Sequence, residues 1–495
     1  MNVLRRKWQG LPRGVVVCIT ALVIYVPLLF IVVQSFLSAP FFSRSKSWSL
    51  EAFAFIFTDP DFYLALRSGF ILAFGLVIIA IPLGGILAFL MVRTDLPGRR
   101  IIEPLILVPI FVSPMVLGFG YVVAAGPVGF FSQWAQQLIG FVPWNIYSMF
   151  SIVVIAGLTH VPHAYLYISS ALRSVGSDVE EAARTANRFV TMKGKASQAR
   201  ALPLGKWRWV AGAVVVAWLT VTIGVPLLGV ALRAFISNWG VGVSLWDELS
   251  LATFHNIWQQ PNLLRAIVNS MAIGIIGGAL AVICYLFVGI AMHRKADNVT
   301  RFLDYSVLVP RAVPGLLAGL AFLWVFLFVP MWLDQSLKHG WFSALPVADW
   351  LREHLIVQLR ALRNTIFSVW LAYTVVWMAY GLRLISSTLL QVGPELEEAA
   401  RSTGASRGQI TRHVTVPLSR YGLIGSWLLM FLIFEREYST GVYLLSPGTE
   451  TIGSMLVSLW AAGAIDIVAA LSFINILLVV IGLGIALRFG VKLHD

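Results

Sequence analysis

The peptide Glu-Glu-Ala-Ala-Arg occurs twice, at 180–184 and at 397–401, in a chain of which only 12% is charged. Its residue types suit docking rather than catalysis. Around the second copy, Pro394 fits the first turn of a helix, where its missing N–H costs nothing. Glu395, Glu397 and Glu398 sit at the positive end of the helix dipole, and Arg401 sits at the negative end. Gly404 can take the left-handed conformation that ends a helix. The pattern predicts a short charged helix over 394–403. Ala399 and Ala400 carry almost no side chain, so another backbone can come close to it. In the first copy, Glu181, Ala182 and Ala183 repeat the core, and Asn187 stands at the glycine position.

Four other groups of polar residues lie in or near apolar stretches. His160 and His163 are three apart around Pro162 and share a helix face. Two readings stand for them, an interhelical hydrogen bond and a substrate contact, and two histidines alone are thin for a metal. Glu435, Arg436 and Glu437 either line a translocation path or pair with one another at a span end. Arg311, between Pro310 and Pro314, belongs to a broken helix, where it lines a cavity or snorkels. Asp466 caps the last apolar run. Cys18 and Cys284 sit inside apolar runs and act as small hydrophobes, so no disulfide framework and no metal site is expected. The stretch around Lys195 lacks the spacing of a phosphate-binding loop, and no HExxH motif or organised Ser/His/Asp set occurs. The expectation is no catalytic residue, no cofactor and no ATPase site in this chain.

The elements that position these residues are membrane helices. The chain has 495 residues, 58% of them hydrophobic, with a mean hydropathy of +0.83. Ten continuous apolar runs can each cross a bilayer: 14–37, 68–92, 101–125, 149–172, 209–232, 266–292, 303–328, 365–390, 422–445 and 464–487. Continuous runs, not alternating ones, select helices over a barrel, so the fold class is an all-α polytopic membrane bundle. The first run is too long for a signal peptide and stays as an anchor. The net charge of +13 is distributed as in a membrane protein, not as in a nucleic-acid binder. With the N-terminus inside, most Lys and Arg fall on one side, while the long outside loop 126–148 has none. This is the positive-inside pattern, with both termini cytoplasmic.

The chain also repeats itself. Val26 opens VPLLFIVVQSF and Val225 opens VPLLGVALRAF; Ser49 opens SLEAF and Ser250 SLATF; Leu107 opens LVPIFVSPMVLG and Leu308 LVPRAVPGLLAG. The repeats run in the same direction. Residues 1–187 read as a first module of four spans, 188–206 as a basic cytoplasmic linker, and 207–495 as a complete second module of six spans. The first module stops half-way through its polar peptide, as an internal deletion of roughly 90 residues would leave it.

Glu398-Ala399-Ala400, then Gly404, Val414 and Pro417, closely resembles the EAA loop of type-1 ABC importer permeases. The resemblance implies that this loop is a coupling helix, which inserts into a cleft on an ATPase subunit. It implies an inner-membrane permease working by alternating access, with two copies of a cytoplasmic ATPase and a periplasmic binding protein as partners. The fused two-module arrangement is similar to the ferric iron permeases of that family, and ferric iron is the solute it implies. Phosphonates, other small anions and polyamines are carried by related fused permeases. Two other classes compete: a secondary transporter driven by an ion gradient, and a deletion form that inserts but does not transport.

Overall fold

The computed structural model describes residues 2–43, 45–174, 202–238, 247–340, 343–344 and 346–488. Among them the regular structure is helical, with only three isolated bridges, Leu37 to Trp48, Thr94 to Leu202 and Ile236 to Leu249. Eight helices are long and apolar enough to cross a membrane, and two bent pairs bring the number to ten. The chain is a polytopic all-α membrane protein. The first copy of the polar peptide, with Glu181, Ala182 and Ala183, lies outside the described residues.

The repeated sequences have repeated structure. After the first span, Ser49 N–H donates to Phe36 O (2.9 Å) and closes an antiparallel bridge. In the second copy Ser250 N–H donates to Phe235 O (2.7 Å) and does the same. A short helix follows each bridge, Glu51–Thr58 and Ala252–Gln259, and a proline opens each following span, at Pro60 and Pro261.

Two compact units are present, and they interleave the copies. One comprises 1–58 and 254–491, the other 59–253. In the second of these, Pro60–Arg93 packs along Met149–Ser174 through small residues. A Cβ at Gly84 would come 2.5 Å from Ala164 Cβ and 2.9 Å from the Tyr165 backbone nitrogen, so only glycine admits this approach. Gly120 and Gly229 likewise bring Pro114–Ala125 against Val225–Phe235: a Cβ at Gly120 would lie 2.3 Å from Pro226 O.

The first unit is built around Tyr285, Tyr373, Ile385, Leu389 and Met430, all nearly fully buried. The chain's first span packs here. Tyr25 and Ser306 share a hydrogen bond of 2.9 Å, Phe30 stacks on Phe328, and Arg13 forks onto Asp297 (2.6 and 2.8 Å) while Nε–H donates to Ala291 O. Arg13 holds the Asp297 carboxyl well below the usual carboxylate range.

Four expected spans differ from a single straight helix. The 303–328 run is divided into Asn298–Ser306, Val309–Ala312 and Gly315–His339, because Pro310 and Pro314 remove amide donors there. The 101–125 run breaks at 112–113, before Pro114. The expected span 422–445 starts at Arg420 after a 69° bend and ends at Arg436. It ends there because Glu437 turns its carboxylate to the next residues: Oε1 accepts from the amides and hydroxyls of Ser439 and Thr440 (2.8–3.1 Å). The 365–390 run bends by 64° at Trp377, and the Tyr285 hydroxyl donates to the Thr374 carbonyl at 2.6 Å beside that bend.

Candidate functional site

The loop between Leu390 and Arg420 contains the second polar peptide. Pro394 opens a helix, Pro394–Ser402, one residue shorter than the sequence pattern suggests. Its end is a Schellman motif: Ala405 N–H donates to Ala400 O (3.1 Å) and Gly404 N–H to Arg401 O (3.0 Å). Gly404 has φ +88, the left-handed conformation expected of it. Ser406 then caps the next helix in a capping box with Gln409. That helix runs to Leu418, with Pro417 exposed two residues before the bend at Ser419.

The helix has one anchored face and one open face. Glu397 is buried at 7% exposure, and its carboxylate is the anchor. Oε1 accepts from His293 Nε2 (3.0 Å) and from the Thr415 hydroxyl (3.2 Å), and Oε2 pairs with Arg294 at 3.7 Å. Arg294 also donates to Val392 O at 2.5 Å. Arg294 has φ +51, and among the described residues it alone carries a side chain at positive φ. Such a conformation costs about 1–2 kcal/mol, and here it turns the guanidinium from the end of one span towards the loop. Glu398, Ala399 and Ser402 point away from this anchor, and with Arg401 and Gly404 they are exposed. Beside them Ala400, Thr403, Gly404, Gln409, Ile410 and His413 line an open notch of about 370 Å³. The notch has small and apolar side chains in its floor and lies beside the exposed Ala399 and Gly404.

The other candidates from the sequence lie elsewhere. His160 and His163 stack at 5.5 Å on Met149–Ser174, which continues through Pro162, and His160 Nδ1 lies 2.8 Å from Ala156 O. No group of three metal-ligating side chains occurs among the described residues. Glu435 is buried against Gly274 and Phe431, and neither carboxylate oxygen has a hydrogen-bond partner. Glu437 also accepts from Trp377 Nε1 at 2.8 Å. Arg311 lies over the Trp377 ring, 4.3 Å from its centroid. Sequence reasoning missed His293, Arg294, Thr415 and Trp377. The one available signal was a His-Arg pair directly after an apolar run.

Residues 286–494, which contain this loop, match the family described as the binding-protein-dependent transport system inner membrane component. That segment belongs to the family. The permease segment has relatives whose names give different solutes. A protein of Salmonella typhimurium named as a 2-aminoethylphosphonate transport system permease is 24% identical over 209 residues, 42% of this chain and 68% of the relative. The putrescine transport system permease protein of Escherichia coli K12 is 22% identical, covering 47% of this chain and 74% of its own length. The sulfate transport system permease protein of the same strain is 28% identical over 36% and 56%. Among solved structures, a bacterial ABC transporter involved in the import of the acidic polysaccharide alginate aligns with 58% of this chain and 97% of its own at 17% identity and a TM-score of 0.40.

Proposed function

We propose that this chain is the permease subunit of an ATP-binding-cassette importer, and that the loop 394–417 is where a cytoplasmic ATPase docks. The observation that carries the reading is the two-sided helix 394–402. Glu397 ties one face to the end of a membrane span at His293 and Arg294, so a push on the open face at Glu398, Ala399, Ala400 and Gly404 reaches the spans. Two ATPase copies and a periplasmic binding protein complete the assembly in this reading, with both termini in the cytoplasm. The first copy, Glu181-Ala182-Ala183, is its second docking point.

The modules are 1–187 and 207–495, joined by the basic linker. The fused arrangement favours ferric iron as solute; the names of the relatives favour a small anion or a polyamine. Co-purification with the cognate ATPase tests the docking assignment. Gly404→Val places a β-branched residue at φ +88, a cost of about 1–2 kcal/mol or more, with no neighbour within 4 Å to clash. The variant is expected in the membrane at normal level with most of the ATPase lost. Unchanged co-purification would show that the loop is not the docking point.

A further inference from the structure

We infer that Glu435 and Asn475, with Ser472 beside them, form a buried binding site for a monovalent cation of the ammonium or alkali type. Glu435 is 2% exposed, and it makes no hydrogen bond and no ion pair among the described residues. It stands one residue before the end of Arg420–Arg436, with Oε1 turned towards Gly274: a Cβ there would lie 3.2 Å from that oxygen. Gly274 belongs to a π-turn, Ile273–Gly277, inside the span Pro261–Met292. Such turns are rare interruptions of a helix and often mark functional sites. Two indole donors at this turn are already used: Trp427 Nε1 donates to Ile275 O and Trp370 Nε1 to Gly277 O, each at 2.8 Å. The next residue in the chain, Arg436, lies over the Trp377 ring, 5.5 Å from its centroid.

Asn475 comes from the last span, Ile465–Arg488, and is nearly fully buried. Its Nδ2 donates to the backbone carbonyl of Glu435 at 3.2 Å. That bond fixes which end of the amide is free, and the free end, Oδ1, has no donor. One turn earlier on the same helix face, Ser472 Oγ is also buried without a partner. The group that completes this cluster therefore brings donors or a positive charge. An ionised Glu435 needs one, and so does the Asn475 oxygen. Protonating Glu435 only exchanges one need for another, because the acid O–H then lacks an acceptor. An ammonium group brings N–H donors, and an alkali ion takes oxygen ligands, so either suits a carboxylate, an amide oxygen and a hydroxyl. One carboxylate balances one charge. No group of three metal-ligating His, Cys, Asp or Glu side chains occurs among the described residues, so the cluster does not suit a transition-metal ion. The helix that follows the 394–417 loop carries Glu435, but the site stands independently of the permease reading.

The test uses the full chain in nanodiscs of zwitterionic lipid, labelled with the apolar carboxyl reagent dicyclohexylcarbodiimide, with modification of Glu435 read by peptide mass spectrometry. Sodium, potassium, methylammonium and putrescine chlorides are the probes. Tetraethylammonium chloride, bulky and without an N–H, is the control at matched ionic strength. At least one probe is expected to slow Glu435 modification about tenfold when present at ten times its dissociation constant, and tetraethylammonium is expected to have no effect. Protection by sodium or potassium assigns an inorganic ion; protection by the amines alone assigns the amino group of a solute. In Asn475→Leu the concentration for half-protection should rise about tenfold. No protection by any probe, equal protection by tetraethylammonium, or no change in Asn475→Leu overturns the inference. If the carbodiimide does not reach Glu435, or Asn475→Leu fails to insert, the midpoint of thermal aggregation decides. A probe should raise it in the wild type and not in Glu435→Gln, and the absence of that difference overturns the inference. ATPase co-purification, measured on the same preparation, reads the docking assignment separately.

Discussion

Glu397→Ala removes the anchor of the helix Pro394–Ser402, and its effect can be worked from the structure. The change leaves His293 Nε2 and the Thr415 hydroxyl without their acceptor. Each orphaned buried donor costs about 1–3 kcal/mol. The Arg294 pair, long at 3.7 Å and partly exposed, is counted as nothing. Because His293 keeps some access to water, the low end applies to it, and the clamp loses roughly 2–4 kcal/mol. A helix of nine residues has little stability of its own, so the loss is local and comparable to what holds 394–402 in place. Hydrogen exchange measured by mass spectrometry on the full chain in detergent is the assay. Amides of 394–405 should exchange about 30-fold faster or more, with the spans 278–292 and 420–436 unaffected. Glu397→Gln keeps one acceptor oxygen, and its acceleration should be several-fold smaller. Unchanged exchange at 394–405, or an equal acceleration throughout the spans, would refute the idea that Glu397 holds this helix to the membrane domain.

Other expected outcomes follow from the same contacts. Gly84→Val forces its Cβ against Ala164 and the Tyr165 backbone and should cost about 1–3 kcal/mol or more, read as a lower midpoint in thermal aggregation of the purified chain. Tyr285→Phe deletes the 2.6 Å bond to Thr374 O and leaves that carbonyl buried without this donor, lowering stability by about 1–3 kcal/mol in the same assay. The Arg13–Asp297 clamp should be insensitive to mild acid. Arg13 holds the Asp297 carboxyl below its ordinary value of 3.8, so its contribution is complete above that value and is lost only as pH falls through the lowered one. Exchange at 291–300 should therefore show no loss of protection, beyond the intrinsic pH effect, between pH 7 and pH 5.

Much of the candidate site was legible in the sequence because it obeys local rules. Pro394 at the first turn, the early carboxylates and Gly404 at a left-handed end predicted the helix to within a residue. The proline breaks around Arg311 were legible for the same reason. Glu397 was legible only as a charge favourable to the helix dipole, since its partner His293 is 104 positions away and only the packed bundle joins them. Trp377 looked like any other apolar residue in a span. Its bend and its two guanidinium neighbours come from three separate segments, and no local pattern announces such a meeting. The early end of the 420–436 helix was hidden because residues 441–445 are apolar enough to continue it. The Glu437 carboxylate gathering Ser439 and Thr440 is what stops it.

The central claim is that movement of solute through these spans is driven by an ATPase acting at the 394–417 loop. The direct measurement is solute uptake by proteoliposomes holding this chain, with the cognate ATPase and binding protein, compared with and without ATP. Uptake that requires ATP and the ATPase, and that falls in Gly404→Val, is the predicted result. Uptake by the chain alone under an ion gradient would contradict it.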